Sequence, residues 1–320
     1  MRDLDVIVYG TVCMDLIWRV ARLADPGRYE HIHDERRMAG GEAANSAIAL
    51  ARWGLRVALV GTTTGDDTDG RALREMLLTA APNLDITGIA VSKDVRTPYC
   101  VCIATPDGHR TMYGSGFVEM QCPVLAPELA ARARIFTMDP NAYQAGIRAC
   151  RIAVEAGAHV VAMDYTRSPD VNRIAAISVT SHEQVPGPPS EAAFAKYARA
   201  VRDIDGCTVI VTCGENGCFI AERGREGEAA EHVPAYAVAE VIDSTGAGDV
   251  FRAGLIYGES QGWDIPTIVR FASAAAGLNC GAMGGWGGVR SVAETLDFQR
   301  MAQTRPAFAN ARDVRTGDAP

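Results

Sequence analysis

Short β-branched runs alternate with helix-length stretches along most of this chain. The apolar runs at 6–9, 57–61, 135–138, 159–163 and 208–213 read as strands. Apolar positions at helical spacing predict helices over 42–53, 69–79, 143–156, 191–203, 249–261 and 265–280. Strands separated by helices imply crossover connections and a mainly parallel sheet covered on both faces. The expected fold is therefore α/β: a three-layer α/β/α, Rossmann-like domain. In such sheets ligands bind beyond the carboxyl ends of the strands.

Two regions break the alternation. Residues 17–22 with 30–38, and 97–105 with 109–114, read as antiparallel pairs, the second joined by the turn Pro106-Asp107-Gly108. They predict a small sheet projecting from the main domain, with His109 as an exposed loop residue beside the turn. Val185-Pro-Gly-Pro-Pro-Ser190 is a proline-rich connection between a strand-like run and a helix capped by Ser190. From about residue 305 the chain is polar and reads as a loosely held tail.

A chain of 320 residues can bury a substantial core, and its net charge of −8 argues against a nucleic-acid partner. The nine cysteines include no C-x-x-C pair, so they read as buried small hydrophobes in a reducing, cytoplasmic setting. The chain enters its first strand without signal-peptide features. It has no apolar run of membrane-spanning length.

Candidate chemistry concentrates in Val241-Ile-Asp-Ser-Thr-Gly-Ala-Gly-Asp-Val-Phe251, a strand end, a glycine turn and a helix start. The N–H groups of Gly246, Ala247 and Gly248 would project from the helix start, where the macrodipole favours an anion. Asp249 then places a carboxylate beside an anion hole, an arrangement suited to phosphoryl transfer to a hydroxyl. Taken alone, a Gly-Ala-Gly turn is common and such an aspartate can be only a cap. Arg252 opposes the dipole in the first helical turn, and the expectation is an exposed side chain that finds a salt bridge, with a phosphate partner as the other reading.

A second constellation is Gly40-Gly-Glu-Ala-Ala-Asn45, followed by a small-residue helix ending at Trp53-Gly54. Asn45 offers both a donor and an acceptor from a helix. Asp15 lies just beyond the first strand. Asp15, Gly40-Gly41 with Asn45, Thr212-Cys-Gly214-Glu-Asn-Gly217 and Asp243-Ser-Thr-Gly-Ala-Gly-Asp249 occur in an order that resembles the ribokinase family, the phosphofructokinase-B type of carbohydrate kinase. The resemblance spans roughly residues 5 to 300.

The resemblance implies one kinase domain over 1–320, with lid strands from about 16–38 and 97–114. It implies that Asp249 is the base accepting a proton from the hydroxyl that attacks ATP, and that Gly246, Ala247 and Gly248 form the anion hole. Asp15, Gly41 and Asn45 match positions that bind sugar hydroxyls. Thr212, Gly214 and Gly217 match the nucleotide side, with Asn279 near the adenine. Asp243 and Thr245 match ligands of a monovalent cation such as K⁺. A homodimer formed through the lid is a further implication.

Departures accompany the match. Where the family carries an Asn-x-x-Glu segment that orders Mg²⁺, this chain has His182 and Val185, which leaves Glu183 as the candidate for the magnesium side. Asp164-Tyr-Thr-Arg167 lacks an Asp-x-Asn-x-Arg pattern seen in some sugar-acid and fructose kinases. Lys93, Arg96 and Arg110 near the lid read as solvated charges, with a phosphorylated sugar as the other reading. Gly284-Gly285-Trp286-Gly287-Gly288 reads equally as a nucleotide cover or as a structural loop. The acceptor expected is a primary hydroxyl of a small sugar. A nucleoside stays open through Tyr99, Tyr113 and Phe117, and a non-catalytic sensor on the same scaffold is the more distant alternative.

Overall fold

A computed structural model describes residues 2–106, 110–117 and 121–305 of the chain. His109, most of the expected 106–108 turn and nearly all of the expected tail therefore lie outside the described residues.

The first half contains β1 (Leu4–Gly10), β2 (Cys13–Val20), β3 (Ile32–Gly40), α1 (Glu42–Arg52), β4 (Val57–Gly61), β5 (Thr64–Gly65), α2 (Thr68–Ala80), β6 (Val91–Ser92), β7 (Tyr99–Ala104) and β8 (Arg110–Ser115). Next come α3 (Pro127–Ala130), β9 (Ala133–Met138), α4 (Tyr143–Glu155), β10 (His159–Met163), α5 (Pro169–Asn172) and β11 (Ile177–Ser181). The chain continues through α6 (Glu191–Asp205), β12 (Thr208–Thr212), β13 (Cys218–Ala221), β14 (Glu231–Val233), α7 (Ala247–Gln261), α8 (Ile265–Asn279) and α9 (Val292–Met301).

The central sheet has the order β14-β13-β12-β11-β10-β9-β1-β4. Pairing is parallel from β12 to β4, and β13 and β14 add antiparallel strands at one edge. The all-buried strands β4 and β1, the latter buried except at Asp5, show why continuous apolar runs marked them in the sequence. β11 is the strand-like run that leads into the proline-rich connection, whereas the short β13 and β14 and the helix α9 were not among the expected elements.

A second sheet has the order β3-β2-β7-β8 and contains both expected antiparallel pairs. Its centre is a parallel pairing of β2 with β7. β2 begins at Cys13, earlier than the sequence pattern indicates, so Asp15 sits inside the small sheet, just past the end of β1.

Helix α1 is buried from Ala43 through Ala51. Its alanines let the backbone lie close to the sheet and to α7, where larger side chains would hold the layers apart. Ser190 caps α6 as expected, accepting from the Ala193 N–H at 3.2 Å. Among the described residues no helix is long and apolar enough to cross a membrane.

Candidate active site

The order of the central sheet puts β1 between β9 and β4, so the chain leaves β1 toward one side and later fills the other. The gap past the ends of β1 and β9 is a topological switch point, where a crevice opens in sheets of this kind. Thr11 and Asp139 close its floor. The Thr11 N–H donates to Asp139 Oδ2 at 2.5 Å, and Asn141 and Ala142 N–H groups donate to Oδ1 at 3.1 and 3.3 Å. Asp139 is fully buried, and burial raises its pKa against the opposing charge of Arg252.

Asp15 stands at the junction with the small sheet and is 5% exposed. A Cβ on Gly40 would lie 1.9 Å from Asp15 Oδ2, which explains the glycine there: any side chain would occupy the carboxylate's place. Gly41 then turns the chain into α1, with φ at +96° and its α-carbon face against the Thr11 carbonyl.

The first turns of α1 and α7 meet. Asn45 Nδ2 donates to Asp249 Oδ2 at 2.8 Å, and the Ser46 hydroxyl lies 2.9 Å from the Asp249 carbonyl oxygen. Asp249 sits where the sequence places it, in the first turn of a helix capped by Gly246. Gly246 has φ of +71°, and a Cβ there would be 2.2 Å from the Gly285 carbonyl oxygen. One amide of the expected anion hole is engaged within the turn, since Ala247 N–H donates to Ser244 O at 3.3 Å.

Arg252 departs from expectation. It is fully buried rather than exposed. Its guanidinium donates to Ser46 Oγ (3.0 and 2.8 Å), Met138 O (3.2 Å) and Glu42 O (2.5 Å), and its Nη2 lies 3.7 Å from Asp249 Oδ1. The cost of a buried cation at a helix N-terminus is offset by this set of acceptors and by the carboxylate. The residue ties α7 to α1 and to the end of β9.

The charges are finely opposed. Burial pushes Asp249 up to about 6, against the pull of Arg252 and of the Asn45 hydrogen bond. Burial pushes Asp15 up to about 7, opposed by the Cys13 thiol and reinforced by Asp249 and Asp243. Burial, with Asp139 and Asp249 nearby, drives Glu42 well above the usual carboxylate range. Glu42 Oε1 accepts from Asn141 Nδ2 at 3.0 Å while its Oε2 is buried without a hydrogen bond. Asp139, Glu42 and Ser46 belong to this cluster, yet nothing in the sequence singled them out. Their only signal was position: Asp139 directly follows a buried strand.

The segment 284–288 is a brace. A Cβ on Gly285 would fall 2.3 Å from both polar atoms of the Asn45 amide. The Trp286 indole donates to Ala39 O at 2.7 Å, and Arg52 lies over its ring at 4.6 Å. Asn279, expected near the adenine, is fully buried and belongs to the same brace. Its amide donates to Thr245 O (3.3 Å) and Gly285 O (3.2 Å), and its Oδ1 accepts from Gly288 N–H at 3.1 Å. An amide engaged in this way holds the glycine turn.

Asp243 is 2% exposed and makes no ion pair among the described residues. Its oxygens accept from Thr245 N–H (2.9 Å) and Gly284 N–H (2.8 Å), and the buried Thr245 Oγ1 has no hydrogen-bond partner. From the small sheet, Arg110 reaches across to donate to Ser244 Oγ at 2.9 Å, so it is not simply a solvated charge.

The expected nucleotide side splits. Thr212 ends β12, and its hydroxyl donates to Thr180 O at 3.2 Å. Gly214 faces open space, whereas Gly217 is packed against the Val233 carbonyl and serves the turn. At the departure from the family pattern, Val185 is buried with Phe194 and Val211 in a hydrophobic cluster. The His182 ring packs edge-on against Phe194, at 5.6 Å between centroids. Glu183 is exposed on the turn after β11, and at the end of that strand Asp164 Oδ1 accepts from Thr180 Oγ1 and Ser181 N–H.

The pfkB family carbohydrate kinase model matches residues 3–119 and 172–289. A nucleoside kinase of Methanothermobacter thermautotrophicus is 26% identical over 288 residues, covering 86% of this chain and 88% of the relative. A ribokinase of Haemophilus influenzae is 23% identical, covering 91% and 97%. The solved structure of Arabidopsis thaliana ribokinase complexed with ribose and ATP superposes with a TM-score of 0.78 at 19% identity, over 93% of this chain and 99% of that one. The expected fold is the observed one, and the chain belongs to the pfkB family of carbohydrate kinases and is an ATP-dependent kinase.

Proposed function

We propose that this protein transfers the γ-phosphoryl group of ATP to a primary hydroxyl of a small sugar or sugar-like molecule, with Asp249 as general base. The observation that carries the reading is Asp249 itself. It is a buried carboxylate oriented by Asn45, raised to about 6 so that it is ionised yet basic near neutral pH, at the start of a helix whose glycine turn can face an anion. Asp15 and Asn45 would hold acceptor hydroxyls. The N–H groups of Gly246 and Gly248 would receive charge from the moving phosphoryl group.

Mg²⁺ supplies charge neutralisation on the phosphates when bound. The exposed Glu183 carboxylate suits a hard cation that keeps most of its waters. The buried, unpaired Asp243 carboxylate and the orphaned Thr245 hydroxyl fit a monovalent cation such as K⁺, which would offset the charge and take up the free oxygen. Thr212 and Gly214 would border the nucleotide.

A nucleoside acceptor is the second reading, favoured by the 26% identical nucleoside kinase. ATP turnover measured across pentoses, hexoses, sugar acids and nucleosides, with Mg²⁺ and with or without K⁺, tests both. Turnover confined to nucleosides replaces the sugar with the second reading. Sugar binding without turnover by any acceptor removes the kinase step.

A further inference from the structure

The pairing of β2 with β7 places Asp15 opposite Cys100 and Ile17 opposite Cys102. Residues two apart on a strand share a face, so Cys13, Asp15, Cys100 and Cys102 all converge on one side of the small sheet. Cys13 Sγ donates to Asp15 Oδ1 at 3.3 Å, and the Cys100 and Cys102 sulfurs are 3.6 Å apart. One carboxylate oxygen of Asp15 and these two sulfurs all lie within 4.8 Å of one another. Among the described residues Asp15 has no ion-pair partner. A buried carboxylate flanked by thiols thus lacks a cation.

The spacing matches a metal polyhedron. With Zn–S bonds of about 2.3 Å, the sulfur–sulfur edge of a tetrahedral site is about 3.8 Å. Two thiolates and a carboxylate form a soft, mixed donor set that selects Zn²⁺ over Mg²⁺, so the cation used with ATP does not compete. Cys100 is half-buried and gives a metal its way in, while Asp15 and Cys102 are buried.

We propose that Asp15, Cys100 and Cys102 form a binding site for Zn²⁺ or a similar soft divalent cation, with the Cys13 thiol hydrogen-bonded to Asp15 beside it. Binding exchanges two thiol protons for one Zn²⁺, and both protons leave to solvent. This proposal rests on the reading of Asp15 as a hydroxyl-binding residue for its consequence: the bound metal takes the Asp15 oxygen from the acceptor and inhibits competitively with it.

The test is titration of the metal-free full-length protein with Co²⁺, which reports thiolate ligation by a charge-transfer band in the near ultraviolet. The expected result is saturation at one equivalent, displacement by Zn²⁺, and loss of the band in a Cys100→Ser/Cys102→Ser double variant. If that variant fails to fold, the single Cys100→Ser variant, at a partly exposed position, is expected to lose most of the band. Absence of the band in the wild type, or its persistence in the variants, overturns the site. The readout does not depend on turnover, so it separates this proposal from the kinase reading. With the band present, Zn²⁺ is expected to raise the KM for the acceptor in the wild type and not in the variants. A band without that rise keeps the metal site and removes Asp15 from acceptor binding.

Discussion

Asn45 donates to Asp249 Oδ2 at 2.8 Å across 204 residues of sequence, and this bond joins the opening turns of two helices that flank the sheet. The bond fixes which carboxylate oxygen is engaged and leaves the other on the side of Arg252. It also favours the ionised form of Asp249 against a burial that favours the neutral one. The contact orients the proposed base, while its basicity is set by burial opposed first by Arg252 and then by this bond.

Replacing Asp249 with Asn keeps the shape of the site and removes the base. Turnover is expected to fall by ~10²–10⁴-fold while circular dichroism and nucleotide binding persist. A steady-state assay in which the variant keeps near-normal kcat would take the proton-accepting role from this residue.

The acid limb of kcat/KM is expected between pH 6 and 7, because Asp249 must be ionised above about 6 and Asp15 above about 7. Stability has the opposite sign. Both carboxyls have folded pKa values above the unfolded value of 3.8, so folding takes up protons in this window. Their contribution is complete below 3.8 and is lost as pH rises through about 6 and 7. Asp15→Asn should then melt higher than the wild type at pH 8, by about 2 to 4 °C for each kcal/mol relieved, with no such gain at pH 4. Melting curves at the two pH values decide it.

Arg252→Met leaves the Asp249 carboxylate and several buried acceptors without their cation. Unfolding in urea is expected to show a loss of ~3–5 kcal/mol, the usual cost of breaking one side of a buried pair. The acid limb should also move upward, because Arg252 lowers the Asp249 pKa. Arg252→Lys, which restores charge without the planar fork, is expected to recover the limb more fully than the stability. An unshifted limb in the Met variant would make Arg252 a structural tie only.

Gly285→Ala places a methyl where the Asn45 amide now lies, 2.3 Å from its polar atoms. The amide must swing off Asp249, and a misplacement of that size costs on the order of 10²-fold in kcat. An alanine variant with wild-type kcat and an intact fold would show that the Asn45 contact is dispensable.

Exchanging K⁺ for tetramethylammonium is expected to lower kcat in the wild type. Thr245→Val and Asp243→Asn should blunt that dependence, since they remove the orphaned hydroxyl and the unpaired charge. Equal rates in both salts would leave these groups as loop anchors.

Much of the fold was legible because the strands that fill the centre of the sheet are buried on both faces and must be continuously apolar. The apolar β13 is only four residues long, and the edge strand β14 and the helix α9 are solvated along most of their length, so little in their patterns marks them. The site followed the same division. Glycine turns and the carboxylate after them are local chemistry, so Gly40-Gly41, Gly246 and Asp249 could be read from neighbours in the chain.

Arg252 and Asn279 could not be read in that way. Arg252 looked like a surface residue from its local sequence, and Asn279 was expected near the adenine only through the family resemblance; Arg252 is buried by α1 and the end of β9, and Asn279 is held by the turn before α7 and by the 284–288 segment. Asp139 and Glu42 were silent for the same reason. The layered α/β architecture, the glycine turns and the carboxylate at the start of α7 were legible in the sequence, because periodicity and backbone freedom are properties of contiguous residues. The packing of distant segments settled how three carboxylates, Asp139, Glu42 and Asp249, share the Arg252 guanidinium and which thiols surround Asp15. Burial and through-space charge depend on which distant segments the sheet order brings together.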